Sequence, residues 1–497
     1  MPFISTRGAE MVSAPEAIVR GIAPDGGLYA PVSLPRLEKA DFEALVKMDY
    51  PARAAHTLAL LLDGFTEEEL LPMAKAAYSR FDDSAIAPVK ELKDSRFVLE
   101  LFHGPTLAFK DMALQFLPWL MTASARKQGE QREIAILTAT SGDTGKAALE
   151  GFQDVPGTSV TVFYPQGGVS AVQQKQMVTS QGKNVHVCAV RGNFDDAQTG
   201  VKTLFGDPDF IAKMNGLGKT LSSANSINLG RLAPQVAYYL SACADLLASG
   251  KADWDTGLNV CVPTGNFGNI LAAWYARRMG APIRKLICAS NRNDVLTDFI
   301  RTGVYDRVRP FHKTISPSMD ILISSNLERF LLELAQGDTA QVAQWMGELK
   351  EKGRYEISGT QKALLNEAFY GGFADDEATK ETIATLWNEE KYLTDPHTGV
   401  AMRVAEDYRK ETGDGNTPML IVSTASPYKF AADVAEAISV PVQGDAFAAA
   451  QALENATGVK APKAVLALKD MPVLHTRVCD KDKMGEAVLA GFDGQAE

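Results

Sequence analysis

Residues 133–146 read EIAILTATSGDTGK, and this stretch decides the architecture. Glu133 to Thr138 is a short apolar run of strand length. Ser141-Gly142-Asp143-Thr144-Gly145 then supplies turn chemistry before a helical pattern opens at Lys146. Outward from here the same order recurs. Ser159 to Tyr164 predicts a strand, followed by Pro165-Gln166-Gly167-Gly168 and a helix to about Gln181; Asn184 to Val190, Gly257 to Val262, Arg284 to Ala289 and Met419 to Thr424 repeat the scheme. Strands alternating with helices imply βαβ units and an α/β fold with largely parallel sheet, covered on both faces. Loops after such strands are where open α/β sheets place their ligands.

The flanks read differently. In the first ninety or so residues, 36 to 48 and 52 to 62 carry apolar positions at helical spacing. Thr66 precedes a Glu-rich first turn as an N-cap should, and Ala23-Pro24-Asp25-Gly26-Gly27 is a turn. The chain therefore divides into a mostly helical N-terminal domain, 1–92, an α/β core, 93–440, and a C-terminal segment, 441–497. Within the core, about 320–412 turns helical, with Asn326 to Leu334 (NLERFLLEL) clearly amphipathic, and is read as an insertion. The last segment carries no interpretable motif and is expected to pack on the core.

Composition narrows the partners. A formal net charge of -11 over 497 residues disfavours nonspecific binding to nucleic acid or anionic membrane. Five widely spaced cysteines with no C-x-x-C pair fit a reduced compartment better than a disulfide framework, and no Cys/His cluster has metal-site spacing. Arg7, Glu10, Glu16 and Arg20 interrupt any signal-like apolar core, and the apolar stretch Leu58 to Leu62 is far too short to span a bilayer. A cytoplasmic location is expected.

Three loops follow strands and precede helices: Ser141 to Gly145, Gly265-Asn266-Phe267-Gly268-Asn269, and Thr424-Ala425-Ser426-Pro427. Gly265 to Asn269 suits a phosphate cradle, because glycine lets backbone approach a ligand and a helix N-terminus presents free N–H groups. Tight-turn chemistry accounts for the same residues equally well. Gly142 to Lys146 resembles the end of a P-loop, but that motif needs glycine where Thr140 stands and Ser or Thr where Ala147 stands. The most informative segment is His103-Gly104-Pro105-Thr106-Leu107-Ala108-Phe109-Lys110-Asp111. A lysine in an apolar setting either snorkels to solvent or is held where burial lowers its pKa, which suits a Schiff-base former.

The segment His103 to Asp111 resembles the cofactor-lysine segment of threonine synthases, and Gly265 to Asn269 resembles the cofactor-phosphate loop of the same family. Ser5 to Gly8 (STRG), Ala23 to Tyr29 (APDGGLY), Thr138 to Lys146 (TATSGDTGK), Ser223 to Pro234 (SANSINLGRLAP) and Ser316 to Ile321 (SPSMDI) match too, in collinear order. The long N-terminal region and helical insertion resemble the bacterial and fungal branch. The resemblance implies a pyridoxal-phosphate enzyme of fold type II, similar to tryptophan synthase β, with two α/β lobes.

By that resemblance, Lys110 would hold the cofactor as a Schiff base and act as the proton-transfer base. Gly265, Asn266, Phe267, Gly268 and Asn269 would bind its phosphate, and Thr424 its pyridine nitrogen. Asp143 stands where many relatives of this fold carry Asn beside the cofactor's 3-oxygen, a contact that a carboxylate makes only if it is water-mediated or its charge is balanced nearby. For the substrate phosphate, Ser141 and Thr144 offer hydroxyls before a helix, and Ser226, Asn228 and Arg231 form a second polar set. Lys175 is a further cation on a helix. The implied reaction converts O-phospho-L-homoserine and water into L-threonine and phosphate, in a monomer or weak homodimer. A phospho-lyase releasing a 2-oxo acid and ammonia would share these residues. A noncatalytic or nucleotide-binding α/β protein would not need Lys110.

Overall fold

The computed structural model describes residues 2–140 and 142–492. Glu133–Ala139 is a parallel strand in a five-stranded sheet whose order is Val478–Asp480, Val185–Arg191, Thr158–Pro165, Glu133–Ala139 and Lys219–Ser222. All four pairings are parallel. A second, six-stranded sheet runs Phe369–Phe373, Ile283–Ser290, Leu258–Pro263, Met419–Ser423, Arg96–Glu100 and Val89–Leu92. Only its last pair is antiparallel. The six strands read from the sequence are all present, each with boundaries moved by one or two residues at most.

The continuous apolar runs exist because both faces of each sheet are covered. In the large sheet Val98, Cys261, Ile287 and Ile421 pack with Val400, Ala401 and Val404 of helix Pro396–Thr412. Their alternates Leu99, Val260, Val262, Leu286 and Val422 face the main core. The small sheet divides likewise: Ala135, Leu137, Phe163 and Val190 meet Ala197, Val201 and Val488, while Ile134, Ile136, Val160 and Val162 join the main core with Leu149. This two-residue alternation fixes register, and each fully buried Leu, Ile or Val contributes roughly 1.5–3 kcal/mol.

Three parts differ from the sequence reading. The N-terminal region holds helices Lys39–Val46, Tyr50–Leu61 and Glu67–Tyr78, the last opened by a Thr66–Glu69 capping box, but also a small antiparallel sheet of Phe3–Ser5, Met11–Val12 and Tyr29–Pro31. The stretch 320–412 is not a purely helical insertion. It delivers Phe369–Phe373 to the edge of the large sheet, and Phe-Tyr-Gly-Gly-Phe escapes notice because Gly371 and Gly372 interrupt any apolar run. A side chain there would press on Thr297 and Ile300 or on Val404. Residues beyond 441 do more than pack on the core, since Val478–Asp480 extends the small sheet as an edge strand. Among the described residues no helix is long and apolar enough to cross a membrane.

Candidate active site

The carboxyl ends of strands from both sheets open on one cleft. Its lining includes Lys110, Thr144, Ser226, Arg231, Ser318, His397, Thr424 and the loop Gly265–Asn269. Lys110 is set there by pairing between two distant loops. The Phe109 N–H donates to the Thr424 carbonyl at 2.8 Å, the Ser426 N–H donates to Leu107 O at 3.0 Å, and Ala108 bridges to Ala425. The lysine segment is thus bound to the end of strand Met419–Ser423. Its own loop is held by Asp111, whose buried carboxylate accepts from Thr106 N–H at 2.8 Å and Thr106 Oγ1 at 2.7 Å. Gly104 is required because a Cβ there would lie 2.4 Å from Asp111. Burial lifts the Asp111 carboxyl to about 6, against these hydrogen bonds.

Lys110 Nζ lies 3.4 Å from Ser318 Oγ, 3.7 Å from Asp143 Oδ2 and 4.9 Å from the centre of the Phe109 ring. Burial, with Lys429 and Arg231 nearby, lowers its pKa to about 8, although Asp143 works the other way. Asp143 is itself balanced, as its charge requires. Its Oδ1 takes Lys429 Nζ at 2.7 Å and Gln173 Nε2 at 3.0 Å. Burial opposes its ionisation, but Lys429 and Lys110 outweigh that and hold the carboxyl well below the usual range.

Across the cleft, Phe267 adopts the left-handed conformation (φ 62°), and helix Gly268–Arg278 begins there without any side-chain cap. The loop's carbonyls are tied back: Gly265 O accepts from Ser324 Oγ at 2.7 Å, and Asn266 O accepts from Asn326 N–H at 3.1 Å. Its N–H groups are left for a ligand, as an anion cradle requires. Only glycine fits at 265, where a Cβ would stand 2.6 Å from the Ser318 carbonyl oxygen. Asn269 is oriented by its neighbours: its Oδ1 accepts from the hydroxyls of Tyr238 and Tyr239, both at 2.6 Å, which leaves the buried Nδ2 without a partner and able to donate to an anion. A reactive lysine facing an uncapped glycine-flanked helix start is the donor set pyridoxal phosphate needs, and the residues fit that group.

Arg231 opens helix Leu229–Ala248 and is buried, with Nη1 donating to Ala224 O at 2.6 Å and Nε without a partner. Burial lowers its pKa only to about 10, so it remains a cation at neutral pH, and among the described residues no carboxylate pairs with it. Thr144 and Ser226 line the same cleft. Asn228 does not. Its Oδ1 accepts from Gly230 N–H to cap the helix, and its Nδ2 donates to Ile18 O and Ser223 O, so the side chain is saturated by architecture. Lys175, on helix Ala171–Val178, is absent from the lining as well. Ser141 lies outside the described residues.

Four residues escaped the sequence reading. Lys429 is fully enclosed, pairing with Asp143 and donating to Thr106 O at 2.9 Å. Its apolar flanks Tyr428 and Phe430 were the available signal, the same one that marked Lys110. Ser318 donates its N–H to His397 Nε2 at 3.1 Å, and His397 Nδ1 lies 2.7 Å from Asp395 Oδ1. The imidazole therefore carries its proton on Nδ1. Asp395 caps the helix that Pro396 opens, accepting from the N–H groups of His397 and Thr398, and Asp before Pro was its available signal. Thr398 Oγ1 in turn accepts from the Thr424 N–H at 3.4 Å, which places Thr424 at the cleft.

Residues 2–78 match the family described as threonine synthase N terminus, 87–367 that of pyridoxal-phosphate dependent enzymes, and 398–478 threonine synthase, C-terminal. The threonine synthase of Pseudomonas aeruginosa is 38% identical over 432 residues, covering 86% of this chain and 89% of that protein. Human threonine synthase-like 1 is 41% identical over 458 residues, covering 88% of this chain; the chain spans 61% of the length of that relative. Among solved structures, pyridoxal-phosphate-bound threonine synthase from Brucella melitensis superposes with a TM-score of 0.85 at 36% identity, covering 99% of both chains.

Proposed function

This chain belongs to the threonine synthase family, and we propose on that premise that it converts O-phospho-L-homoserine and water into L-threonine and phosphate, with pyridoxal phosphate at Lys110. One observation carries the reading: a single cleft holds a reactive lysine between two anion poles, the uncapped loop Gly265–Asn269 and the unneutralised Arg231. One pole suits the cofactor phosphate, the other the substrate phosphate.

Held by Lys110 and by the backbone N–H groups of Gly265–Asn269, the cofactor would supply an electron sink for the charge left when the substrate Cα–H bond breaks. The remaining work falls to the chain. Lys110 Nζ removes the proton from Cα and then one from Cβ. Arg231, with the Thr144 and Ser226 hydroxyls, holds the phosphate as it leaves Cγ. Lys110 then returns protons as water adds at Cβ. A pKa of about 8 leaves roughly one lysine in ten as free amine at pH 7, against one in a few thousand at the ordinary 10.5. Thr424, which lines the cleft, would meet the pyridine nitrogen with a hydroxyl rather than a carboxylate and leave it less protonated. We further propose a monomer or weak homodimer located in the cytoplasm.

The test is to incubate the holoenzyme with O-phospho-L-homoserine and to assay phosphate, threonine and 2-oxobutyrate together. Matching phosphate and threonine, abolished in Lys110→Ala, is the expected result. Phosphate with 2-oxobutyrate would move the function to a phospho-lyase with the same machinery.

A further inference from the structure

Lys110 and Lys429 share one carboxylate. Asp143 Oδ1 takes Lys429 Nζ at 2.7 Å, while Asp143 Oδ2 stands 3.7 Å from Lys110 Nζ. In a desolvated enclosure one negative charge neutralises one ammonium group, so geometry decides which lysine gives up its proton more readily. Lys429 has the better set of acceptors, the carboxylate and the Thr106 carbonyl at 2.9 Å, and its side chain has no exposed surface. Lys110 has the Ser318 hydroxyl at 3.4 Å and the Phe109 ring, and its side chain is 12% exposed toward the cleft.

We propose that Lys429 is a positioning residue for the reaction: by occupying Asp143 it withholds that carboxylate from Lys110 and so makes Lys110 the more readily deprotonated, nucleophilic amine of the cleft. Lys429 is not among the residues lining the cleft; it acts through Asp143. The ionisable groups facing Lys110 are Asp143, Lys429 and Arg231. Beyond Ser318 stands His397 with Asp395, and beyond Thr106 the carboxylate of Asp111. Removing Lys429 frees Asp143 to pair with Lys110, which then holds its proton more tightly. Removing Asp143 as well takes away both opposing influences. The two substitutions must therefore offset one another.

This inference rests on the role given to Lys110 above, but it is read on cofactor-free protein, so the two can fail separately. The full-length apoprotein is treated with cyanate, which carbamylates neutral amines, from about pH 6 to 10, and Lys110 occupancy is followed by peptide mass spectrometry. In the unaltered protein Lys110 should reach half its limiting rate near pH 8, well before Lys429 is labelled. Lys429→Gln keeps a donor while removing the charge, and should move the Lys110 midpoint up by about one unit or more, a roughly tenfold slower reaction at neutral pH. Adding Asp143→Asn should return it to near the starting value, and Lys429→Arg should leave it in place. An unmoved midpoint in Lys429→Gln, a shift the double variant does not reverse, or labelling of Lys429 before Lys110 overturns the proposal. Should Lys429→Gln fail to fold, as judged by its circular dichroism melt, Asp143→Asn is compared with the double variant. Lys110 must then titrate about a unit lower in the single variant, where Lys429 stands unopposed. Equal midpoints reject the proposal.

Discussion

Arg231 and Arg329 are both enclosed, and burial lowers both to about 10, so each stays charged at neutral pH. They differ in what their donors meet. Arg329 is saturated: Nε donates to Tyr29 O at 2.8 Å, Nη2 to Ile227 O at 2.6 Å and Nη1 to Asn326 Oδ1. It joins the N-terminal sheet, the loop before helix Leu229–Ala248 and the loop before helix Leu327–Leu334. Arg231 lines the cleft, donates from Nη1 to one carbonyl and leaves its enclosed Nε without a partner. Equal burial thus serves opposite ends. A saturated cation is architecture, whereas an unsaturated one costs stability that a bound anion recovers. Lys110 belongs with the second kind.

The largest effect should come from the saturated member. Arg329→Gln strands three acceptors at a junction of three segments and should cost on the order of 3–5 kcal/mol in a urea-unfolding midpoint. Any protein that still folds should keep its KM for the phosphorylated substrate. A variant as stable as the parent but with raised KM would break the division between the two arginines.

Lys110 should show the reverse sign. Its folded pKa, about 8, lies below the ordinary 10.5, so the unfolded chain binds more protons between those values and stability rises with pH across that window. The cost of burying the ammonium is fully present below about pH 8 and relieved toward pH 10.5. Removing the amine with Lys110→Met should therefore stabilise the cofactor-free protein at neutral pH by about 3 kcal/mol, the gap closing as pH rises. Comparing the two urea midpoints at pH 7 and pH 10 checks this, and a destabilised variant at pH 7 would place Lys110 among the structural cations.

How much of this was legible follows from what is local in sequence. The strands were, because residues such as Ile134, Val160 and Ile421 are buried on one sheet face while their neighbours are buried on the other, leaving unbroken apolar runs. The glycine loop and Lys110 stood out by residue type at a strand or helix terminus, but turn chemistry and snorkelling accounted for them equally well until the resemblance joined them. Asn228 was misread because an N-cap and a phosphate ligand call for the same residue before a helix, and only its partners tell them apart. Lys429, His397 and Asp395 were not legible as site residues. Lys429 is brought to Asp143 across 286 positions of chain, and no periodicity announces a contact made only by folding two lobes together. Phe369–Phe373 was hidden by its glycines, which are there because neighbouring side chains crowd the backbone.

Arg231→Gln sharpens the comparison most finely, because it separates binding from folding at one residue. The glutamine keeps a donor to Ala224 O but removes the charge, so stability should hold or rise slightly. Phosphate recognition should fall by the worth of one charge-assisted hydrogen bond, about 1.5–3 kcal/mol, or roughly 10- to 150-fold in kcat/KM. Inhibition by inorganic phosphate should weaken in parallel, since product and substrate would present the same anion to the same guanidinium. The visible absorbance of the bound cofactor should be retained, because its phosphate is assigned to the other pole of the cleft. Loss of that absorbance in Arg231→Gln, with substrate recognition of the residual holoenzyme unchanged, would exchange the assignments of the two anion poles while leaving the contrast with Arg329 intact.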